Sequence, residues 1–130
     1  MKVGLIGLMQ SGKSTLVSAV SGKAVPPAGS VSIEEVVVPV PDERLDWLTE
    51  LYQPKKTVHG TVDCLDLPGL SFDNESSRAA ARKLFGQVRT VDIFVVVIGA
   101  FSGEADAARE LNDLRTEFLL SDLELVTTRI

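Results

Sequence analysis

The sequence predicts a layered α/β fold with a mostly parallel sheet. Short apolar runs alternate with segments in which apolar residues recur every three or four positions, and this alternation of strand and helix patterns is typical of such folds. The most apolar run, residues 91–98, is hydrophobic on both faces, which predicts an interior strand of a parallel sheet. A length of 130 residues corresponds to one domain with a substantial core.

Each element follows from a local pattern. Asp42 is the predicted N-cap of a helix that ends before Pro54, and Trp47 is expected to pack among the core positions of that helix. Ser121 and Glu124 have capping-box spacing, which allows a break in the last helix. The predicted strands are 2–6, 31–38, 58–67 and 91–98, and the predicted helices are 12–20, 43–52, 77–89 and 104–130.

Composition and sequence pattern argue against several classes of function. A net charge of −5 provides no electrostatic footprint for nucleic acid. No apolar stretch reaches the roughly 20 residues that span a membrane, and the N-terminus lacks a secretory pattern. The single Cys64 cannot form an internal disulfide, so we expect a reducing, cytoplasmic setting.

The stretch GLMQSGKST, which follows the first apolar run, fits the phosphate-binding P-loop pattern. Glycines let backbone N–H groups approach phosphate oxygens, and the following helix adds unpaired N–H groups and a positive dipole end. Lys13 is the predicted catalytic residue because its charge can reach the β- and γ-phosphates, and Ser14 can ligate Mg²⁺. The alternative is a chance glycine-rich turn. The predicted phosphate-contacting residues of this loop are Gly7, Gln10, Ser11, Gly12, Lys13, Ser14 and Thr15.

A second motif, DLPG, follows the third predicted strand. In nucleotide switches a carboxylate at this place holds Mg²⁺ and a glycine N–H three residues later contacts the γ-phosphate, which predicts these roles for Asp66 and Gly69. The alternative is an ordinary turn. Leu70 follows, where many GTPases have a glutamine that orients the attacking water; leucine has no polar atom for this, so intrinsic hydrolysis should be slow or use another group.

These segments together resemble the Obg-like YchF-type P-loop NTPases over residues 1–126. The stretches that carry the resemblance are MKVGLIGLMQSGKSTL, VPVPDERLDWLTELYQPKKTV, DLPGL, VRTVDIFVVVIGAF and LRTEFLLSDLELV, in that order. The resemblance implies a three-layer Ras-like G domain, hydrolysis of ATP as well as or better than GTP, and association with the ribosome. Three departures stand out. Gln10 replaces the usual asparagine, Ser30 falls where a Mg²⁺-ligating threonine is normal, and residues 71–86 replace a glycine-rich segment.

The resemblance also implies that residues 1–130 are the N-terminal part of a G domain, cut off after about four strands. The motif that reads the base, the later strands and the C-terminal domains would follow this point, so the choice between adenine and guanine stays open. A sheet that ends there has an exposed edge, which a homodimer could cover. Two alternatives to a nucleotide-hydrolysing switch remain: a non-catalytic interaction module with a degenerate G domain, and, less favoured, a P-loop kinase.

Overall fold

The computed structural model describes residues 1–24, 32–103 and 106–130, and strands alternate with helices throughout them. The strands are β1 (Lys2–Ile6), β2 (Glu34–Pro39), β3 (Thr61–Asp66) and β4 (Ile93–Val96). The helices are α1 (Lys13–Ser21), α2 (Glu43–Tyr52), α3 (Glu75–Gln87) and α4 (Ala107–Arg129). Each predicted element is present in the predicted order, so the α/β prediction is confirmed.

The four strands form one sheet in the order β2-β3-β1-β4. Strand β1 runs parallel to both of its neighbours, with Val3 beside Cys64 of β3 and Ile93 of β4, whereas β2 runs antiparallel to β3. The sheet is therefore mostly parallel, as predicted. Because the carboxyl ends of parallel strands meet at one edge of a sheet, the segments that follow β1, β3 and β4 come together there.

Strand β1 supplies side chains to two separate hydrophobic cores. Successive residues of a strand point to opposite faces, and Leu5 and Ile6 accordingly belong to different clusters. Leu5 packs with Val17 of α1 on one face, while Ile6 packs with residues of α3 and α4 on the other. Helices thus cover both faces of the sheet, which is the predicted three-layer arrangement.

Stacked aromatic rings and a buried carboxylate join α3 to α4. The rings of Phe85 and Phe118 stack with centroids 4.6 Å apart. Glu117 of α4 has a side chain only 3% exposed, and it lies between two arginines of α3. Arg78 Nη1 is 3.4 Å from Glu117 Oε1 and Arg82 Nε is 3.8 Å from Glu117 Oε2. Burying this charge is tolerable because guanidinium groups stand on both sides of it.

Side chains cap three of the helices. Asp42 accepts a hydrogen bond from the Arg44 amide at 3.0 Å, as predicted for α2, and Asn74 and Asp106 cap α3 and α4 in the same way. Helix α1 differs, because its N-cap is Gly12 and no side chain bonds to its first amides. The first turn of α1 therefore keeps N–H groups that lack a capping partner.

The structure corrects three details of the predicted elements. Among the described strands β4 lies at the edge of the sheet, and its four residues are 37–48% exposed, where the apolar pattern predicted an interior strand. Trp47 does not pack in the core, because α2 buries no residue and Trp47 is 61% exposed. Helix α4 is continuous through Ser121, whose side chain is buried where the capping-box pattern allowed a break. Ser121 is buried by packing against other elements, whereas Trp47 and β4 are exposed because no described element covers them.

No helix in the described part of the chain is both long enough and apolar enough to cross a membrane. Cys64, the one cysteine, lies partly buried in β3. Burial, followed by the neighbouring charge of Asp63, raises the pKa of the Cys64 thiol above its ordinary value. A thiol with a raised pKa is less often in its reactive thiolate form at neutral pH, so Cys64 behaves as a small core residue.

We expect Leu114→Ala to destabilise the fold strongly. Leu114 is 1% exposed in the core beneath α4, and a cavity left by a buried leucine costs about 2–5 kcal/mol. Leu119→Ala on the same helix is the matched control, because Leu119 is 70% exposed and surface substitutions stay within about 0.5 kcal/mol. Urea unfolding followed by circular dichroism measures both. Equal losses in the two variants would contradict the assigned packing of α4.

Candidate functional site

The loop between β1 and α1 lies at the sheet edge where the parallel strands end. Gly7 begins it and leaves no room for a side chain: an added Cβ would lie 2.6 Å from Ser11 Oγ and closer still to the carbonyl oxygen of Val97. Only glycine therefore permits this close approach of the loop to the segment after β4. Close packing around the loop therefore explains why the first position of the predicted motif is glycine.

Two residues in left-handed backbone conformations shape the rest of the loop. Gln10 has φ of 64° and Gly12 has φ of 89°. Glutamine rarely adopts this conformation, so the turn at Gln10 is imposed by the loop around it. The Ser11 amide donates to the Leu8 carbonyl at 3.2 Å, which closes the turn before α1 begins. Alternating backbone conformations of this kind form concave nests of N–H groups that bind anions.

The backbone amides of Gln10, Gly12, Lys13, Ser14 and Thr15 have no hydrogen-bond acceptor among the described residues, whereas the amides of Met9 and Ser11 do. Five nearly consecutive donors are therefore available at the N-terminus of a helix. The dipole of α1 adds positive potential at the same place. This arrangement suits an oxyanion such as phosphate.

Lys13 and Asp66 form an ion pair behind the loop. Lys13 Nζ lies 3.5 Å from Asp66 Oδ1, and both side chains are 7% exposed. Asp66 Oδ1 has no hydrogen-bond partner among the described residues. The structure thus brings the predicted lysine of the first motif together with the predicted carboxylate of the second. An anion bound at the loop would compete with Asp66 for the lysine ammonium.

The oxygen atoms near this pair suit a hard divalent cation. Ser14 offers a hydroxyl in the first turn of α1, and Asp66 offers a buried carboxylate oxygen without a hydrogen bond. Both are ligand types that Mg²⁺ accepts, usually together with substrate phosphates and water. In the described ranges no group of three or more His, Cys, Asp or Glu side chains could hold a metal by itself. Ser30, the third predicted ligand, lies outside the described residues.

The DLPG segment is hydrogen-bonded to the loop between β1 and α1. The Leu70 amide donates to the Gly7 carbonyl at 3.0 Å, and the Met9 amide donates to the Leu70 carbonyl at 2.9 Å. Gly69 lies against Met9, where an added Cβ would be 3.0 Å from the Met9 Cα. Leu70 is 4% exposed and belongs to the hydrophobic core that contains Ile6 and Leu114. We call this pair of bonds the Leu70 contact.

The segment that follows β4 also lies against the loop, which the sequence did not lead us to predict. An added Cβ on Gly99 would lie 3.4 Å from the Ser11 Cα, and an added Cβ on Gly12 would lie 3.9 Å from the ring of Phe101. Phe101 is itself 78% exposed. A glycine just past the end of a parallel strand was the available signal, since such strand ends share one edge with the P-loop.

His59, the one histidine of the sequence, lies away from the loop. His59 Nε2 is 3.3 Å from Asp46 Oδ1 of α2, and its other ring nitrogen faces the Val40 carbonyl. Neither contact involves the loop 7–15. His59 therefore belongs to the packing between α2 and the β2–β3 pair.

The chain matches a family described as 50S ribosome-binding GTPase over residues 2–128. It is 32% identical to Obg-like ATPase 1 of Schizosaccharomyces pombe over 139 aligned residues, which cover 97% of this chain and 36% of the relative. It is also 32% identical to the ribosome-binding ATPase YchF of Bacillus subtilis, with 98% of this chain and 38% of the relative covered. The chain thus spans little more than a third of the length of these relatives.

The fold agrees with a solved structure of the same kind. The structure of the Schizosaccharomyces pombe YchF GTPase superposes with a TM-score of 0.66 at 27% identity, covering 99% of this chain and 38% of that one. With the family match over nearly all residues, this chain belongs to the 50S ribosome-binding GTPase family and, within it, to the YchF-type P-loop GTPases and ATPases.

Proposed function

We propose that this chain binds the triphosphate of GTP or ATP through the loop 7–15. The observation that carries the proposal is a set of five backbone amides that have no hydrogen-bond acceptor among the described residues: those of Gln10, Gly12, Lys13, Ser14 and Thr15. The ammonium group of Lys13 lies close behind them, where it pairs with Asp66. Gly7 and Gly12 give the loop its close approach and its left-handed turn. The Ser11 hydroxyl, buried and without a hydrogen bond, is a further donor for this site.

Mg²⁺ would be held by Ser14 and Asp66, with Ser30 as the third ligand by analogy with the family. When bound, the ion neutralises charge on the β- and γ-phosphate oxygens. Asp66 becomes available to the metal site as Lys13 turns from the carboxylate toward phosphate, because one ammonium group cannot serve both fully. The Lys13–Asp66 pair at 3.5 Å is on this account the resting arrangement of the two groups.

Hydrolysis by this site is slow. Lys13 is the catalytic residue, since its charge stabilises the transferring phosphoryl group. Leu70 contributes no polar atom and is buried in the core, so it cannot orient a water. The Gly69 amide contacts the γ-phosphate. Loss of the γ-phosphate would shift Gly69, and the shift would reach the loop 7–15 through the Leu70 contact. The domain would in this way act as a switch.

The partners follow from the relatives. The Bacillus subtilis relative is named a ribosome-binding ATPase, and we propose the ribosome as the partner of this chain and the cytoplasm as its location, without membrane association.

A second candidate function is a non-catalytic interaction module that retains the fold. The buried, non-polar Leu70 is the observation that favours it.

A homodimer through the edge of β4 is part of the proposal. Four successive apolar side chains, Ile93 to Val96, are 37–48% exposed there. An edge strand presents unpaired N–H and C=O groups to any chain that can pair with it. Two copies related by a two-fold axis would pair these edges antiparallel and cover the apolar residues.

Nucleotide binding is tested with Lys13→Ala and a fluorescent GTP or ATP analogue. We expect affinity to fall at least about tenfold, because hydrogen bonds to charged groups contribute about 1.5–3 kcal/mol. Lys23→Ala is the matched control, since Lys23 is exposed just beyond the end of the same helix. Circular dichroism of each variant checks its fold, because removing Lys13 leaves the buried Asp66 carboxylate without its partner. Unchanged affinity in a folded Lys13 variant contradicts the proposal.

Turnover is tested by phosphate release at saturating nucleotide, with Mg²⁺ or with a chelator. We expect a Mg²⁺-dependent rate at or below about 10⁻³ per second, the range of a G domain without assistance. Ser14→Ala should bind nucleotide like the wild type in chelator but gain less from Mg²⁺, because only the metal ligand is lost. A wild-type rate equal to that of Lys13→Ala would instead favour the non-catalytic module.

Self-association is tested by sedimentation equilibrium. We expect a concentration-dependent dimer that Val95→Lys abolishes, because a charge on an exposed edge strand opposes pairing. Val37→Lys on β2, at the opposite edge of the sheet, is the control: Val37 is 55% exposed. A wild-type monomer at all accessible concentrations, or equal loss of dimer in both variants, would refute pairing through β4.

A further inference from the structure

The segment 70–73, which directly follows Gly69, is held at two points. At its start, the two backbone bonds of the Leu70 contact join it to the loop between β1 and α1. Further along, the carbonyl of Phe72 accepts a hydrogen bond at 3.1 Å from Nε of Arg78, which lies near the start of α3. The backbone next to the Gly69 amide is therefore fixed between the predicted phosphate loop and a side chain of α3.

A buried carboxylate of α4 orients the Arg78 side chain. Arg78 Nη1 lies 3.4 Å from Glu117 Oε1, and the Glu117 side chain is only 3% exposed. A guanidinium group is planar and carries its N–H groups in a rigid fork, so one group can donate to the Phe72 carbonyl and face Glu117 at the same time. Phe72 and Glu117 thus fix the direction of Arg78, although 43% of its side chain is exposed.

A cavity of about 430 Å³ lies between the segment 70–73 and α4. Phe72, Arg78 and Glu117 all contribute to its lining. In the part of the chain that the structure describes, no hydrogen bond or ion pair joins the segment directly to α4, and the Ser71 hydroxyl donates within the segment, to the Asp73 carboxylate. The polar connection from α4 to the segment therefore passes through Arg78.

Arg82, one turn further along α3, separates this connection from the packing of α3 on α4. Arg82 Nε is 3.8 Å from Glu117 Oε2, and Arg82 Nη1 is 3.7 Å from Glu75 Oε1. Both arginines thus face the buried Glu117 carboxylate, but only Arg78 donates to the Phe72 carbonyl. Either arginine alone leaves that carboxylate one positive partner, so we expect single variants of the two to fold.

We propose that Arg78, oriented by Glu117, is a positioning residue for the Gly69 amide. The inference rests on the proposed function, because the contact between that amide and the γ-phosphate belongs to it. Gly69 lies three residues before Phe72, so a fixed Phe72 carbonyl limits the positions that the Gly69 amide can take. A donor that is ordered before its ligand arrives loses less conformational entropy on binding. Arg78 in this way favours a nucleoside triphosphate over a diphosphate, which lacks the γ-phosphate.

The positioning is tested first without nucleotide, by amide hydrogen exchange in the ¹⁵N-labelled chain. In Arg78→Ala we expect the amides of Met9 and Leu70, which donate in the Leu70 contact, to exchange at least about threefold faster, because the segment has lost a hydrogen bond. Arg82→Ala is the matched control and should leave both rates unchanged. Thermal unfolding checks the fold of each variant. Equal exchange rates in the two folded variants overturn the proposal.

The effect on nucleotide is tested by the dissociation constants of GDP and ADP and of non-hydrolysable GTP and ATP analogues, with Mg²⁺. We expect Arg78→Ala to weaken triphosphate binding at least about threefold and to leave diphosphate binding unchanged. Arg82→Ala should preserve the ratio of the two constants. An equal loss of both affinities in Arg78→Ala indicates a merely structural role and overturns the proposal, as does an equal change of the ratio in Arg82→Ala.

The role of Glu117 is tested by a double-mutant cycle. Glu117→Gln should lower the preference for triphosphate in the wild type but not in Arg78→Ala, because Glu117 acts through Arg78. Thermal unfolding checks each variant, since Glu117 also joins α3 to α4. An equal effect of Glu117→Gln in the two backgrounds overturns the role of Glu117.

Failure of this inference and failure of the proposed function give different results. If only the inference fails, Lys13→Ala loses nucleotide affinity while Arg78→Ala keeps the wild-type preference for triphosphate. If the wild-type chain binds neither triphosphate nor diphosphate, the proposed function is refuted together with the effect of Arg78 on nucleotide. The exchange rates of the nucleotide-free variants then decide by themselves whether Arg78 holds the segment.

Discussion

The unpaired backbone amides at the start of α1 are the feature on which the candidate site depends. Helix N-termini leave N–H groups without intrahelical partners, and most helices satisfy them with a side chain. Asp42, Asn74 and Asp106 do this for the other three helices, whereas Gly12 leaves the first turn of α1 open. The sequence therefore places no capping side chain at the N-terminus of α1, the helix that follows strand β1.

The topology of the sheet explains why the uncapped N-terminus of α1 lies beside Asp66 and the segment that follows β4. Because β1 is parallel to β3 and β4, Asp66 and the segment through Gly99 are brought to the same edge as the loop. Lys13 and Asp66 are then close enough to pair in a buried place, where unpaired charges would be costly. The bonds of the Leu70 contact run between the same two segments, so a change at one loop reaches the other through a short, direct path.

Patterns in the sequence predicted those structural features that depend on residues close to one another along the chain. The Asp42 cap and the order of strands and helices depend on neighbours in sequence, and both are confirmed. The edge position of β4 and the exposure of Trp47 depend on which other elements cover them, and apolar patterns carry no such information. The roles of Arg78 and Glu117 were missed for the same reason, since residues 39 positions apart become partners only when α3 packs on α4. Ser30 lies outside the described residues, and its predicted role stays a prediction.

The most direct measurement of the central claim is amide hydrogen exchange and chemical shift at single residues, with and without nucleotide. We expect GTP or ATP to slow exchange and to shift the signals of Gln10, Gly12 and Lys13–Thr15. The amides of Met9 and Ser11, which already have acceptors, should change much less. Nucleotide that binds while these five amides exchange as freely as before would contradict the account, as would a uniform change across the whole loop.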